Sequence, residues 1–425
     1  MRINKVALAV TALLAASQVH AAGFQVSEHS ASGLGRAFAG EAAIGDDAAS
    51  LARNPALMAT FDKAQLSIVG SYVDPDISVE STLGNANDVA PAQVVPAMYY
   101  IQPINDKWAA GLAIYSNYGT GTEYEDDYIA GSAAGTTSIM SVNFNPNISY
   151  RVNEQLSFGA GVSFVYASAE LKRNFGVPGQ GAPGPIIPVD TSIAKMEGDG
   201  YGFGWNLGAL YEFNQNNRVG ISYKSEVKTK LEGEFTGMAS SPVDPTYPLA
   251  PQNTVDGNLD LNLPSILEVS GYHKLTDKFA LSYSWMYTTW SDFGDIVAKS
   301  DNVAECTSSA GAGICLEKKE NYSNSSRYAV GGEYYLSEAV TLRAGYAFDE
   351  QGGDATMSIP DTDRSWYTAG VTYRASKSLS FDFAAALIAG KEITFDEEIP
   401  VMGTSAEFTS SGDAYIYSAQ MNYSF

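Results

Sequence analysis

The feature that most constrains this chain is a long alternation of period two. Tyr201, Phe203, Trp205, Leu207, Ala209, Tyr211 and Phe213 take every odd position, with Gly, Asn and Glu among the evens. The same pattern runs through Leu156, Phe158, Ala160, Val162, Phe164 and Tyr166. It returns in Phe279, Leu281, Tyr283, Trp285 and Tyr287, and in Val340, Leu342, Ala344, Tyr346 and Phe348. Successive side chains on a β-strand point to opposite faces, so each stretch has one apolar face and one polar or small face. Strands in soluble sandwiches run about five to six residues. These run about ten or more, the length that crosses a bilayer with lipid outside and a polar lumen inside. Beyond residue 21 no stretch approaches about eighteen consecutive apolar residues, so helical spans are excluded.

The connections give a strand count. Short turns recur at Asn105-Asp106, Asn153-Glu154, Asn214–Asn217, Thr276-Asp277, Ser337-Glu338 and Ser376-Lys377. Longer polar or Gly/Pro-rich stretches lie between them, near 76–94, 118–137, 173–198, 234–256, 296–315, 351–363 and 391–408. Six turns alternating with seven loops imply an all-β chain of fourteen antiparallel strands, an even number as bacterial barrels require. The 26 Tyr and 18 Phe suit the interfacial girdles of such a barrel, where a ring lies in lipid and a hydroxyl in water. The last strand alternates through Tyr415, Tyr417, Ala419, Met421 and Tyr423 to a terminal Phe425, an ending of the kind that barrel-assembly machinery reads.

The N-terminus predicts the compartment. Arg2 and Lys5 precede an apolar stretch from Val6 to Ala16, and Val19-His20-Ala21 offers small residues at −3 and −1 of a cleavage site. Residues 1–21 therefore read as a secretory signal peptide cleaved after Ala21, too short to span a bilayer. Residues 22–63 show no alternation and are rich in Gly, Ala, Ser and Asp, with the Asn54-Pro55-Ala56 turn near their end. They are either a loose periplasmic arm or a compact plug, for which a fourteen-strand lumen has room. The barrel then occupies 64–425.

Other classes are set aside on chemistry. A net charge of −23 leaves nothing to neutralise nucleic-acid phosphates, and suits surface loops that share divalent cations with lipopolysaccharide. Gly33-Leu34-Gly35-Arg36 has no preceding strand and a misplaced third glycine, against dinucleotide binding. His29 and His273 lack metal-ligand spacing, and no G-x-S-x-G elbow occurs, so we expect no metal, no cofactor and no enzyme activity. Cys306 and Cys315 are expected to pair as a local disulfide in an oxidising compartment.

Several segments carry a family resemblance. Ala22-Gly23-Phe24-Gln25, Ser32-Gly33-Leu34-Gly35-Arg36-Ala37, Asp46-Asp47-Ala48 and Arg53-Asn54-Pro55-Ala56-Leu57 resemble the FadL family of long-chain fatty acid transporters. So do Pro103-Ile104-Asn105-Asp106, Ser116-Asn117-Tyr118-Gly119, Tyr201-Gly202-Phe203-Gly204-Trp205-Asn206 and Asn262-Leu263-Pro264, then Ile359-Pro360-Asp361, Asp363-Arg364 and Asn422-Tyr423-Ser424-Phe425. The resemblance implies a fourteen-stranded transmembrane barrel in the outer membrane, with residues 22–63 as an N-terminal hatch in the lumen. It further implies capture of a hydrophobic ligand between outer loops and transfer to an inner pocket. A kink in the third strand would then release the ligand through the wall. By the same resemblance Phe24 lies in the pocket, Arg173 supplies a pocket cation, and Asn54, Pro55, Ala56 and Gly119 belong to the gate.

The chain also departs from the family pattern. A second pocket cation is missing at Ser323, where Lys318 or Lys319 stands nearby. The loop around Val177–Val189 is short, leaving Ile186-Ile187-Pro188 as its apolar surface, with Tyr247 and Leu249 as the opposite wall of a capture groove. A long-chain fatty acid is the expected partner of a monomeric barrel. Aromatic hydrocarbons are the nearest rival ligand, and a non-transporting surface barrel (an adhesin or phage receptor) or a general porin is the rival class.

Overall fold

The computed structural model describes residues 23–177, 188–240, 253–308 and 310–425. Among these, fourteen barrel strands follow one another round an antiparallel ring. The first half comprises β1 (Gln65–Ser81), β2 (Gln93–Pro103), β3 (Trp108–Tyr115 and, after a break, Gly119–Thr122), β4 (Thr136–Arg151), β5 (Leu156–Asn174), β6 (Ser192–Asn214) and β7 (Asn217–Lys224 and Val227–Gly237). The second half comprises β8 (Thr254–Leu263 and Ile266–Lys274), β9 (Phe279–Thr288 and Ile296–Ser300), β10 (Ile314–Lys318 and Ser325–Tyr335), β11 (Val340–Asp349), β12 (Arg364–Arg374), β13 (Leu379–Gly390 and Ile393–Ile399) and β14 (Thr404–Ser424). Each strand pairs with the next, and β14 returns to β1 in register from Gln65↔Ser424 to Ser81↔Phe408, closing the sheet. Closure removes the exposed edges that would leave backbone groups unpaired in lipid.

All six short turns fall between consecutive strands, as expected. The long loops are shorter than the sequence suggested. Most of the stretch near 391–408 is strand, because β13 continues to Ile399 and pairs with β14 as far as Ile399↔Thr404. The acids Asp396, Glu397 and Glu398 mask an alternation that buries Glu397 and Ile399. Cys306 in the fifth long loop forms a disulfide with Cys315 at the start of β10, and both are buried.

The alternating apolar residues face outward. Tyr201 and Phe203 are 71% and 70% exposed, and Phe158, Val162, Tyr283, Leu342 and Tyr417 lie on the same outer surface. The intervening small and polar residues face in, so the hydrophobic stripe meets lipid rather than a protein core.

Residues 23–61 are packed within the ring. Helix α1 (Ala31–Leu34) lies against β12–β14, a 3-10 turn at Ala48–Ala52 against β1–β3, and a second at Pro55–Thr60 against β4–β6. The turns begin at Ser30, Asp47 and Asn54, whose side chains accept from Gly33, Ala49 and Ala56 N–H groups. Arg36 pairs with Glu41 (2.9 Å) and Asp46 (2.6 Å) on its own segment and with Glu333 (2.7 Å) on β10. Arg343 on β11 extends this network to Glu333 and Asp382. Removing one member of such a buried network typically costs about 3–5 kcal/mol. Wall glycines make room for the segment. A Cβ on Gly208 would lie 1.9 Å from Asn54 Oδ1, and one on Gly220 would lie 1.8 Å from the Ala42 carbonyl oxygen.

Candidate ligand-binding site

The first residues of the inner segment enter an aromatic cage. Phe24 is fully buried, with ring centroids 4.7 Å from Trp290, 4.7 Å from Phe293, 5.7 Å from Tyr118 and 6.1 Å from Tyr322, all edge-to-face. Such pairs contribute about 0.5–1.5 kcal/mol each beyond buried area. Each partner comes from an interruption in a strand: Tyr118 from the break in β3, Trp290 and Phe293 from the turn that splits β9, and Tyr322 from the gap in β10. A regular strand sends only alternate residues inward, and the 3-10 turn at Trp290–Asp292 brings Trp290 and Phe293 to the same ring. Gly23 has φ of +62°, and a Cβ there would sit 2.6 Å from Trp290, so glycine alone is unstrained.

An apolar lining continues from the cage towards the long-loop end. Val165, Leu171, Met196, Leu231, Leu259 and Ile296 form one buried cluster with Phe24. It reaches a narrow cleft bordered by Ala169, Met196, Leu231, Phe235, Leu259 and Ala298, at the outer ends of β5, β6, β7, β8 and β9. This column has the composition an acyl tail requires.

Arg173 lies at the end of β5 and is buried, but it is not free. Nη1 donates to the carbonyls of Thr136 and Lys172 (both 2.8 Å), and Nη2 donates to Thr137 Oγ1 (3.0 Å) and Ser358 Oγ (2.7 Å). Ser358 adjoins Ile359, which packs in the Phe24 cluster, so one short segment links guanidinium and cage. Lys318 pairs with Glu397, whose other oxygen accepts from Met357 N–H (2.6 Å). Lys319 is exposed. Glu320 is buried between the two pieces of β10. Burial pushes its carboxyl up to about 7, against the pull of Lys318.

The wall is interrupted beside the cage. The β2–β3 register stops at Met98↔Ile114, while β2 stays paired to β1 as far as Gln93↔Val73. The outer piece of β3, which begins at Gly119, is registered with β4 instead. Between the two pieces, Ser116–Tyr118 turn inward. Val26 N–H donates to Asn117 O (2.7 Å), Gly119 N–H to Phe24 O (2.8 Å), and His29 Nε2 to Ser116 O (2.8 Å). Gly119 thus stands at the break, as the first residue of the outer piece. Asn54-Pro55-Ala56 lies away from the break, against β4–β6 near their short-turn ends. There Asn54 Nδ2 donates to Ala42 O (2.6 Å) and Ala209 O (3.1 Å). The inner segment touches the break through Phe24, Gln25, Val26 and His29, Gln25 by an antiparallel bridge to Tyr118. Ile186, Ile187, Tyr247 and Leu249 lie outside the described residues, as do residues 1–21, expected to be a signal peptide.

Trp290, Phe293, Tyr322 and Ser358 were not singled out from the sequence. The signal available was a fault in alternation: Thr289-Trp290-Ser291-Asp292-Phe293 breaks the period of β9 with two aromatics three apart.

The comparisons with known proteins agree with this architecture. The family model described as "Outer membrane protein transport protein (OMPP1/FadL/TodX)" matches residues 12–425. The long-chain fatty acid transport protein of Salmonella typhi is 39% identical over 444 residues, spanning 99% of this chain and 98% of that protein. Outer membrane protein P1 of Haemophilus influenzae is 37% identical over 473 residues, the full length of both. Among solved structures, a Pseudomonas aeruginosa FadL homologue is similar with a TM-score of 0.82 at 24% identity, over 95% of this chain and 100% of its own. The Pseudomonas putida toluene transporter TodX gives a TM-score of 0.70 at 18% identity, over 96% and 100%. At such identities these two structures speak for the fold.

Proposed function

The chain belongs to the OMPP1/FadL/TodX family of outer membrane transport proteins, and on that premise we propose that it admits long-chain fatty acids by gated diffusion. In this reading the acid enters between the long loops, and its tail follows the apolar column to the Phe24 cage. Residues 22–63 act as a hatch in the barrel formed by 64–425, and the ligand leaves sideways through the break in β3 at Gly119. Asn54-Pro55-Ala56 serves as the fixed foot of the hatch, and Phe24 to His29 as its moving end.

The observation that carries the proposal is the continuous apolar cluster ending at Phe24, with Arg173 joined to it through Ser358 and Ile359. Each buried methylene contributes roughly 0.8 kcal/mol, so about twelve supply near 10 kcal/mol before ordering costs. The carboxylate fixes direction through paired bonds to a guanidinium. Arg173 must exchange a present acceptor, with Ser358 Oγ the most easily replaced, to receive it. A neutral aromatic hydrocarbon is the second reading, favoured by the same four occupied N–H groups.

One experiment separates them. Arg173→Ala should weaken binding of a long-chain acid by about 1.5–3 kcal/mol, as loss of a charged hydrogen bond does, and leave an alkylbenzene of similar length unaffected. Equal losses would mean that Arg173 shapes the pocket, and mass spectrometry of the purified barrel finding only neutral hydrocarbons would replace the fatty acid reading.

A further inference from the structure

The break in β3 is held from inside by a side chain that no transport step above has used. Lys224 ends the first piece of β7 and reaches inward. Its Nζ donates to Asn117 Oδ1 (3.0 Å) and stands 5.0 Å from the centre of the Tyr115 ring. No carboxylate lies within ion-pair distance of it among the described residues. The acid whose charge acts on it, Glu268, is already engaged by Arg53 (3.5 Å). A partly buried ammonium without a counter-ion is expensive to keep, and an arriving anion relieves that cost.

Its location is specific. Asn117 is the middle residue of the inward turn, held by Val26 through its backbone and by Lys224 through its side chain. A void of about 20 Å3 beside Lys224 is bordered by Asn117, Tyr118, Asn143, Ser163 and Pro264. Tyr118 is also a wall of the Phe24 cage, and its hydroxyl donates to Pro264 O (2.7 Å). Cage, void and wall break therefore share one boundary, with Lys224 on the far side of it from Arg173.

We propose that Lys224 is a second head-group station for a carboxylate ligand, receiving the anion after it leaves Arg173 and releasing Asn117 as it does so. This rests on the fatty acid reading above. Ammonium bound to Asn117 stabilises the closed turn, whereas ammonium bound to carboxylate frees Asn117 and loosens the turn. Lys224 would then act on passage, not on capture. Affinity at equilibrium belongs to the cage and Arg173, while the rate of transfer of charged cargo belongs to Lys224.

The test uses the full-length protein as the only transporter of its kind in intact cells, with oleate and methyl oleate as probes. Lys224→Gln keeps a donor for Asn117 Oδ1 and removes the charge. It should slow initial oleate uptake roughly tenfold or more, the effect of one charged hydrogen bond, and leave methyl oleate uptake and equilibrium oleate binding within about twofold. Lys224→Arg should restore most of the oleate rate. Equal slowing of both probes would overturn the proposal in favour of a purely positioning role, and unchanged oleate uptake would overturn it outright. Correct assembly is read from heat-modifiable mobility, and if Lys224→Gln does not assemble, Lys224→Met is held to the same oleate-to-ester ratio. A wild-type protein that binds and passes methyl oleate but not oleate fails at the fatty acid reading itself, which separates the two failures.

Discussion

Replacing Gly208 with alanine adds one methyl group where the inner segment meets the wall, and the consequence can be worked out from contacts. The new Cβ would lie 1.9 Å from Asn54 Oδ1 and 3.0 Å from Pro55 Cδ, on a strand paired on both sides that cannot retreat. Asn54 must move, and three hydrogen bonds depend on it: to Ala42 O, to Ala209 O and from Ala56 N–H. Overpacking typically costs about 1–3 kcal/mol, and each weakened bond adds about 0.5–1.5 kcal/mol. Partial relaxation leaves an expected penalty of about 2–4 kcal/mol, all of it on the inner segment. Because the barrel pairing is untouched, the penalty should appear as a roughly 30- to 1000-fold rise in local opening. Hydrogen exchange over residues 42–61 reads this directly, with β-strand amides as internal reference. Gly70→Ala is the control, since nothing lies within 4 Å of its Cβ position. If Gly208→Ala exchanges no faster than the control, the segment is not wedged against β6 and the argument fails.

Phe24→Ala should empty the cage at about 3–5 kcal/mol while leaving a heat-resistant barrel, and isothermal titration should show fatty acid affinity falling with it. Replacing Cys306 and Cys315 with serine should destabilise the fifth loop by about 2–3 kcal/mol, from a closed loop of ten residues, seen as faster proteolysis there and no change in barrel melting. Glu320 supplies a pH test: its raised carboxyl keeps its proton longer in the folded state, so its contribution is complete below about 4.5 and is lost as pH rises through about 7. Oleate binding should accordingly weaken between pH 6 and pH 8, as the new anion competes for Lys318 and Arg173, and Glu320→Gln should remove that dependence.

Much of the fold is legible because bilayer physics leaves a chain few options. Tyr201 to Phe213 must expose one face to lipid, and the six short turns count the strands without reference to any relative. Strand ends were less legible, since inward acids such as Glu397 on β13 resemble loop residues. The site was legible only through resemblance. Phe24 and Arg173 carry no local mark of the role proposed for them, and the four cage partners, from three interruptions, are up to 298 positions away from Phe24, a separation no period reveals. Lys224 ends an unremarkable strand piece, and only the inward turn of Asn117 gives it meaning.

Phe24 presents its ring to the cage and its carbonyl to Gly119, so one residue belongs both to the pocket and to the seam in the wall. On the proposed passage, a guest that wedged the ring aside would strain that carbonyl contact. By thermodynamic reciprocity, whatever tightens the seam must weaken the guest's hold by the same factor. In the proposed mechanism, cargo and latch compete for a single residue. Such an arrangement would require no external energy input, and it would discriminate by bulk of hydrocarbon before charge. A hydrated ion, with no apolar body to displace a phenyl ring, would find the seam stitched.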